Sequence, residues 1–226
     1  MASDTNAALK AEPLEPVVPG RFRAALVHSV DDLMEEGWAA KFGQAMFEKR
    51  SHLVRGGDAE GVWRYNWEIV HVDRHEPDLV GDLRGRIIEE AVNALGPCLV
   101  PEFDVEGVEC HATMHHHGNF FSWHDDADGY TGGDALETRR LAFAYYMHSK
   151  PKMFDGGELE FLDGTAIEPR HNRLAFWHPI QKHRVRPVEC WSSHVLHGRW
   201  SVMGWLHGQP PEGWVDRIPK LRDRNH

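Results

Sequence analysis

The second half of the sequence is a series of short β-type segments separated by turn-forming residues. From about Gly107 onward, runs of β-branched and aromatic residues alternate with Gly, Asp, Asn and Pro. Seven or eight short strands with turn signals between them indicate a mainly β fold, a sandwich or jelly roll, with helices packed against one sheet. The predicted strands are 107–115, 119–124, 140–147, 157–162, 172–177, 183–188 and 199–206.

Two amphipathic helices are predicted before the β-rich half. The first follows a capping-box pattern at Ser29–Asp32 and continues to about Arg50. The second follows Glu76-Pro77, where apolar side chains recur at every fourth position from Leu79 to Leu95, and Gly96-Pro97 ends it. Between the two helices, residues 62–72 are rich in aromatic and β-branched side chains, which predicts a strand.

The domain organisation follows from length and composition. The chain has 226 residues, 41% hydrophobic and 27% charged, which fits one domain with a sizeable core. Residues 1–20 carry alanines, acids and prolines without periodicity, so we expect a mobile leader there. Residues 21–226 then form a single domain, with helical support over 29–96 and a jelly-roll core over about 107–207.

Charge, hydropathy and cysteine content exclude several classes of protein. A net charge of −10 without a strong basic cluster argues against nucleic acid as a partner. No apolar run approaches the roughly 20 residues that a membrane span requires, and no signal-peptide pattern is present at the N-terminus. Three cysteines without CxxC spacing predict neither disulfides nor a structural zinc site. We therefore expect a cytoplasmic monomer or homodimer.

The segment around His124 and Asp126 carries a metal-binding pattern. On an extended segment, side chains two residues apart point to the same side, so His124 and Asp126 can bind one ion while Asp125 points away. A calcium loop is the alternative for this acidic segment. It fails because aligning Gly129 with loop position 6 places His124 and Ala135 where the ion needs carboxylates. A mixed set of imidazole and carboxylate suits iron(II) better.

A third ligand must come from a distant strand, and His183 is the candidate. It begins a strand-like run 59 residues after His124 (183 − 124). Arg199 opens the next predicted strand, and an arginine inside a barrel needs an anion, which a dicarboxylate cofactor would supply. For any one of the 17 histidines in this chain, a structural role is the alternative.

Five blocks in this half of the chain resemble one enzyme family when taken in order. The stretch from His115 to His207, roughly 90 of 226 residues, is similar to the prolyl-4-hydroxylase-like branch of the 2-oxoglutarate, iron(II) dioxygenases. That resemblance implies a double-stranded β-helix, the jelly-roll or cupin-like barrel. The blocks are Gly118–Asp126, Arg140–Met147, Gly156–Phe161, His183–Val188 and Arg199–Trp205.

The resemblance also implies cofactors and roles. His124, Asp126 and His183 would be catalytic and hold Fe(II), and O2 would be the oxidant. Arg199 would pair with the distal carboxylate of 2-oxoglutarate and Tyr146 would donate a hydrogen bond to it, with Ser201 as a further cofactor-binding candidate. Strand alternation allows only one of Tyr145 and Tyr146 to face the barrel interior.

Two features depart from the pattern of this branch. The gap of 16 residues from His183 to Arg199 (199 − 183) is longer than usual, with 190–197 as an apparent insertion. The strand before the first ligand carries His115, His116 and His117 where relatives commonly offer a tyrosine to the cofactor. One of these histidines is a candidate to replace that tyrosine or to face the substrate, and surface imidazoles are the alternative.

The reaction implied is hydroxylation of a C–H bond, coupled to oxidative decarboxylation of 2-oxoglutarate to succinate and CO2. Asp126 favours hydroxylation over halogenation, while desaturation and cyclisation stay open. The expected substrate is small and amino-acid-like or peptidyl. Substrate-lining candidates are Trp123, Trp67 and His116, under a mobile cover over 128–140.

Two other classes of protein compete with this interpretation. A metal-dependent cupin-type hydrolase or isomerase would use the same barrel and triad, but would have no use for Arg199 and Tyr146 facing a dicarboxylate. A non-catalytic jelly-roll binding module would leave the histidines structural and would bind no iron.

Overall fold

The computed structural model describes residues 26–56, 64–69, 71–126 and 138–209. The predicted leader over 1–20 and all but the last three residues of the predicted cover over 128–140 lie outside these ranges. Neither of the two α-helices in the described part of the chain is long and apolar enough to cross a membrane.

The described residues form two α-helices, three short 3-10 helices and thirteen strands. The helices are α1 (Glu36–Glu48) and α2 (Pro77–Leu95), and the 3-10 helices cover Lys49–His52, Val72–Arg74 and Val195–His197. The first six strands are β1 (Val27–Val30), β2 (Val54–Gly56), β3 (Arg64–Ile69), β4 (Gly107–His115), β5 (Phe120–His124) and β6 (Arg139–Met147). The others are β7 (Phe154–Gly156), β8 (Leu159–Phe161), β9 (Ala166–Ile167), β10 (Arg173–Trp177), β11 (His183–Val185), β12 (Val188–Cys190) and β13 (Arg199–His207).

The strands form a rolled antiparallel sheet in which chain order and spatial order differ. Eleven strands join in the order β1-β10-β6-β13-β4-β3-β5-β11-β8-β9, with β2 paired to β3, while β12 and β7 form a separate pair. Every pairing between them is antiparallel. The prediction of a mainly β jelly-roll fold with flanking helices is therefore confirmed.

Side-chain alternation along β6 divides the interior into two parts. Leu141, Phe143 and Tyr145 belong to the larger apolar cluster, which includes the buried faces of both α-helices. Ala142, Ala144 and Tyr146 belong to a second cluster inside the roll. Because successive strand residues point to opposite faces, the helices cover one face of this sheet while the other face lines the barrel. The Tyr145 hydroxyl bonds to Asn172 Oδ1 at 2.8 Å, so Tyr145 is the structural member of the tyrosine pair.

The start of the first helix differs from the prediction. Ser29 lies in β1, opposite Ala175 of β10, and α1 begins only at Glu36 without a side-chain cap. Asn172 holds the segment between β1 and α1 in place. Its backbone carbonyl accepts a hydrogen bond from Leu33 N at 3.1 Å, and its side chain accepts one from Met34 N at 3.0 Å. The capping-box prediction at Ser29–Asp32 was wrong, since pairing with β10 satisfies this backbone before a helix can form. The predicted helical support therefore begins with a strand of the sheet.

Candidate active site

His124, Asp126 and His183 lie together at one end of the barrel. His124 ends β5 and His183 begins β11, and the two residues are direct partners in the antiparallel ladder. Asp126 follows β5 by two residues, as the alternation argument requires. One ligand atom from each of the three side chains lies within 4.8 Å of the others. His183 Nε2 is 3.7 Å from Asp126 Oδ2, and His124 Nε2 is 3.9 Å from Asp126 Oδ1.

Backbone carbonyls fix the tautomer of both histidines. His124 Nδ1 lies 2.8 Å from the carbonyl oxygen of Ser122, and His183 Nδ1 lies 2.8 Å from that of Gln181. A carbonyl oxygen can only accept, so each Nδ1 carries the hydrogen and each neutral ring leaves Nε2 as a lone-pair donor. A hydrogen bond from Nδ1 to a backbone carbonyl in this way orients an imidazole ligand toward a metal ion.

Asp126 is held in place from two sides. Its backbone N–H donates to the Pro179 carbonyl at 2.9 Å, and the indole Nε1–H of Trp177 donates to Oδ2 at 3.1 Å. The carboxylate is almost fully buried. A buried carboxylate and two imidazole lone pairs that converge in this way repel one another unless a cation lies between them. The donor set therefore fits a divalent metal, and its nitrogen and oxygen composition with three protein ligands fits non-haem iron(II).

Aromatic side chains surround the histidine ligands. Phe121 stacks on the His124 ring with centroids 3.8 Å apart, and Trp177 meets the His183 ring edge to face at 5.2 Å. These ring contacts restrict the orientation of each imidazole.

A cavity of about 650 Å³ extends from these three residues to Arg199. Arg199 begins β13 and is almost fully buried. Its Nε donates to the carbonyl oxygen of Gly157 at 2.7 Å, and its Nη1 donates to Ser201 Oγ at 3.3 Å. Burial lowers the pKa of Arg199, so its charge is costly here without an anion nearby.

Tyr146 and Ser201 lie on the same stretch of wall as Arg199. The Arg199 guanidinium carbon is 4.9 Å from the centre of the Tyr146 ring. The Tyr146 hydroxyl is buried and makes no hydrogen bond of good geometry with any described residue, although it interacts with the Arg199 charge. Ser201 Oγ pairs with Thr113 Oγ1 at 2.8 Å. Together they form a closed pocket end that offers a cation and hydroxyl groups to an anionic ligand.

The sequence of this half of the chain matches a family profile. Residues 110–207 match the profile of the 2OG-Fe(II) oxygenase superfamily. This part of the chain is therefore similar in sequence to that superfamily. The match spans β4 to β13 and so includes the three candidate metal ligands, Tyr146, Arg199 and Ser201.

The chain is also similar to individual proteins. An uncharacterized PKHD-type hydroxylase of Synechocystis sp. is 26% identical over 172 residues, which cover 70% of this chain and 55% of that protein. The chain thus spans about half the length of this curated relative.

Solved prolyl hydroxylases share the fold of this chain at low sequence identity. The enzyme of Trichoplax adhaerens, solved with a hypoxia-inducible-factor peptide, has a TM-score of 0.58 and 14% identity, covering 91% of this chain and 90% of that one. The prolyl-4-hydroxylase of Pseudomonas putida has a TM-score of 0.51 and 17% identity, with coverages of 82% and 94%. The collagen prolyl hydroxylase of Paramecium bursaria Chlorella virus-1, solved with 2-oxoglutarate, has a TM-score of 0.54 and 13% identity, with coverages of 84% and 99%.

Gly157 has a contact that sequence reasoning missed. Gly157 was predicted only as the first residue of a strand over 157–162, yet its carbonyl accepts the Arg199 Nε hydrogen. The signal was present in the sequence as a double glycine but gave no indication of the partner, which comes from a strand 42 residues later.

Glu109 was also missed, and it lies at the centre of a charged cluster on the outer cavity wall. It accepts from His111 Nε2 at 2.6 Å, and His207 Nε2 and Arg139 Nη2 lie 3.3 and 3.4 Å away. Burial alone would raise the pKa of Glu109, but hydrogen bonds from His111 and His207 and the Arg139 charge outweigh it. They hold that pKa well below its ordinary range. Arg139 also donates to the Asp126 carbonyl at 3.3 Å, which links this cluster to the triad.

The three substrate-lining candidates have different positions. Trp123 lines the cavity at its rim and is 39% exposed, with the Arg184 guanidinium 4.8 Å from its ring. His116 lines a separate groove on the outside of the barrel, together with Arg50 and Asn119. The backbone of Trp67 lies in β3 opposite Met114, and its side chain lies outside the described residues.

The apparent insertion over 190–197 packs against the edge of the barrel. Its first residue ends β12, which pairs with β7, and its last three form a 3-10 turn whose Val195 carbonyl accepts from Trp200 Nε1 at 3.0 Å. The additional residues before Arg199 therefore lie outside the cavity.

Proposed function

We propose that this oxygenase couples oxidative decarboxylation of 2-oxoglutarate, to succinate and CO2, to hydroxylation of a C–H bond in a small amino-acid-like or peptidyl substrate. One observation carries the proposal: two imidazole nitrogens and a carboxylate converge within 4.8 Å in a cavity whose far end holds a buried guanidinium. A cupin-type hydrolase or isomerase would need the three converging metal ligands, but would have no use for the buried guanidinium.

Iron(II) would be held by His124 Nε2, His183 Nε2 and the Asp126 carboxylate. When bound together with 2-oxoglutarate and O2, the ferrous ion supplies the oxidising chemistry, which no side chain of the protein can perform. The protein's part is positional. Carbonyl acceptors on both Nδ1 atoms hold the rings, and the Trp177 indole keeps the carboxylate facing them.

Arg199, Tyr146 and Ser201 would bind the distal carboxylate of 2-oxoglutarate. A guanidinium next to a phenol and a hydroxyl suits a carboxylate, because each group donates to oxygen and the cation offsets its charge. Gly157 accepts the Nε hydrogen of Arg199 and Ser201 accepts from Nη1, which leaves Nη2 to meet the ligand. The oxoacid would thereby be held in one orientation between Arg199 and the metal.

The substrate would enter at the Trp123 rim and lie along the wall formed by Glu109 and Arg139. Prolyl hydroxylases that share this fold support an amino-acid-like or peptidyl substrate. Hydroxylation is favoured over halogenation because Asp126 supplies a carboxylate to the metal. Desaturation and cyclisation would use the same site.

We also propose that residues 21–226 form a single domain. The protein would act in the cytoplasm as a monomer or homodimer, without nucleic-acid or membrane partners. Cys98, Cys110 and Cys190 are all free thiols, which fits a reducing compartment. The net charge of −10 disfavours a phosphate backbone.

Anaerobic titration tests the proposal before any substrate is known. Iron(II) and then 2-oxoglutarate are added to metal-free protein, and the weak visible charge-transfer band of the chelate is recorded. The wild type should develop the band and His183→Ala should not, while His117→Ala, which changes an exposed histidine, should match the wild type. A wild type that binds iron(II) without the band would favour the hydrolase or isomerase, and one that binds no iron would favour a binding module.

A further inference from the structure

His115 lies beside Arg199 at the closed end of the cavity and has no role in the proposal above. It ends β4 and is the direct ladder partner of Arg199 in β13. Its side chain is 2% exposed and lines the same cavity as the triad. A histidine buried this deeply must have both ring nitrogens accounted for.

Arg199 fixes the tautomer of the His115 ring. The Nδ1 atom lies 3.4 Å from Arg199 Nη1, and a guanidinium nitrogen can only donate. Nδ1 must therefore accept, which leaves the hydrogen on Nε2 in the neutral ring. Burial lowers the pKa of His115 well below its ordinary value and the adjacent Arg199 charge lowers it further, so the ring is neutral at physiological pH.

Among the residues that the structure describes, none accepts a hydrogen bond from the Nε2–H of His115. This atom is fully buried and unpaired within the described residues, and the Tyr146 hydroxyl next to the same guanidinium is in the same condition. Arg199 makes no salt bridge among the described residues, and Glu158 acts on its charge only from beyond salt-bridge distance. Two unpaired donors beside a buried cation require an anionic acceptor, because each would otherwise lose its hydration without replacement.

We propose that His115 binds 2-oxoglutarate directly, donating its Nε2–H to the distal carboxylate that Arg199 holds. This inference rests on the proposed function and adds a ligand-binding residue to it. The ring would act at both ends, since Nδ1 accepts from Arg199 and orients the guanidinium while Nε2–H meets the ligand. His116 and His117, the next two residues, face other surroundings and take no part.

Two amide substitutions separate this role from a structural one. The side-chain amide of glutamine reaches about as far as Nε2 of histidine, whereas that of asparagine reaches only as far as Nδ1. His115→Gln therefore keeps an N–H in the cavity, and His115→Asn keeps only the contact with Arg199. Both variants place an amide in the same buried position, so their cost to folding should be similar.

The experiment is anaerobic titration of the iron(II)-loaded protein with 2-oxoglutarate, followed by the visible charge-transfer band, with iron(II) affinity and thermal unfolding measured in parallel. We expect His115→Gln to bind 2-oxoglutarate within about threefold of wild type, and His115→Asn to bind at least about tenfold more weakly, as loss of a hydrogen bond to a charged group implies. Iron(II) affinity should stay the same in both, and His117→Gln should match the wild type.

The possible failures are distinguishable. Equal 2-oxoglutarate affinity in the Gln and Asn variants would overturn the role of His115 and leave the proposed function standing. A parallel loss of iron(II) affinity in the Asn variant would likewise overturn it, because it would indicate a general structural effect. A wild-type protein that develops no band would overturn the proposed function itself.

Discussion

The Nε hydrogen of Arg199 bonds to the carbonyl oxygen of Gly157 at 2.7 Å, across the gap between β13 and the turn that precedes β8. Gly157 has a φ of +74°, which turns its carbonyl toward the guanidinium. A Cβ on this residue would lie 2.7 Å from Arg199 Cδ and 3.0 Å from Val188 Cγ2. The backbone of the turn therefore determines where the cation sits, and it has no room for a side chain.

Gly157→Ala should weaken 2-oxoglutarate binding about tenfold or more, because the new methyl group displaces the Arg199 side chain. Gly164→Ala is the matched control, since Gly164 also has a positive φ, +87°, but a Cβ there meets nothing within 4 Å. Both variants should lose about 1 kcal/mol of stability to backbone strain. Calorimetric titration with 2-oxoglutarate and urea unfolding measure the two effects, and equal affinity in both variants would contradict the expectation.

The parts of the site that local periodicity governs were predictable from sequence. The bounds of β4 at 107–115 match the prediction, and period-two alternation placed Asp126 beside His124. The ladder that joins His124 to His183 depends on pairing across 59 residues (183 − 124), which the family resemblance could supply and periodicity could not.

Contacts that depend on long-range packing were not predictable. The link from Gly157 to Arg199 and the charged cluster around Glu109 join strands whose register no local pattern specifies. The capping-box prediction at Ser29 was wrong for the same reason. Its local sequence resembles a cap, but pairing with β10 outweighs that preference.

Trp177→Phe should lower iron(II) affinity by about 10- to 100-fold, the usual cost of losing a hydrogen bond to a metal-ligating group. The indole of Trp177 donates to Asp126 Oδ2 at 3.1 Å, and phenylalanine keeps an aromatic ring while removing that donor. Trp200→Phe makes the same chemical change elsewhere, where the indole donates to the Val195 carbonyl at 3.0 Å. Competition with a metal indicator measures the affinity, and a similar loss in both variants would mean that the effect is one of packing.

Thiol reagents should modify Cys190 much faster than the other two cysteines in the native protein. Burial raises the pKa of Cys98 and of Cys110 to about 12, so almost no thiolate exists there at pH 8. Cys190 is only half-buried and its pKa is raised less. Reaction with Ellman's reagent should release one equivalent rapidly and two more only after denaturation, and the rapid phase should disappear in Cys190→Ser. Rapid release in that variant would contradict the assignment.

The metal-free protein should lose stability as the pH falls from about 6.5 toward 4, because buried histidines resist protonation in the folded state. Burial lowers the pKa of His178 to about 4, and the Arg140 charge contributes in the same direction. Below pH 6.5 the unfolded chain takes up a proton that the folded chain does not. Each such histidine therefore costs about 1.4 kcal/mol for every pH unit until its folded-state pKa is reached.

His178→Asn isolates this contribution. The asparagine oxygen can accept from Ile180 N as His178 Nδ1 does at 3.3 Å, but the side chain does not titrate. Urea unfolding of the metal-free wild type and variant at pH 7.5 and 5.5 should show the variant losing about 1 kcal/mol less than the wild type over that interval, with His115 still contributing in both. Identical losses would mean that His178 is protonated in the folded protein at pH 5.5, contrary to its burial.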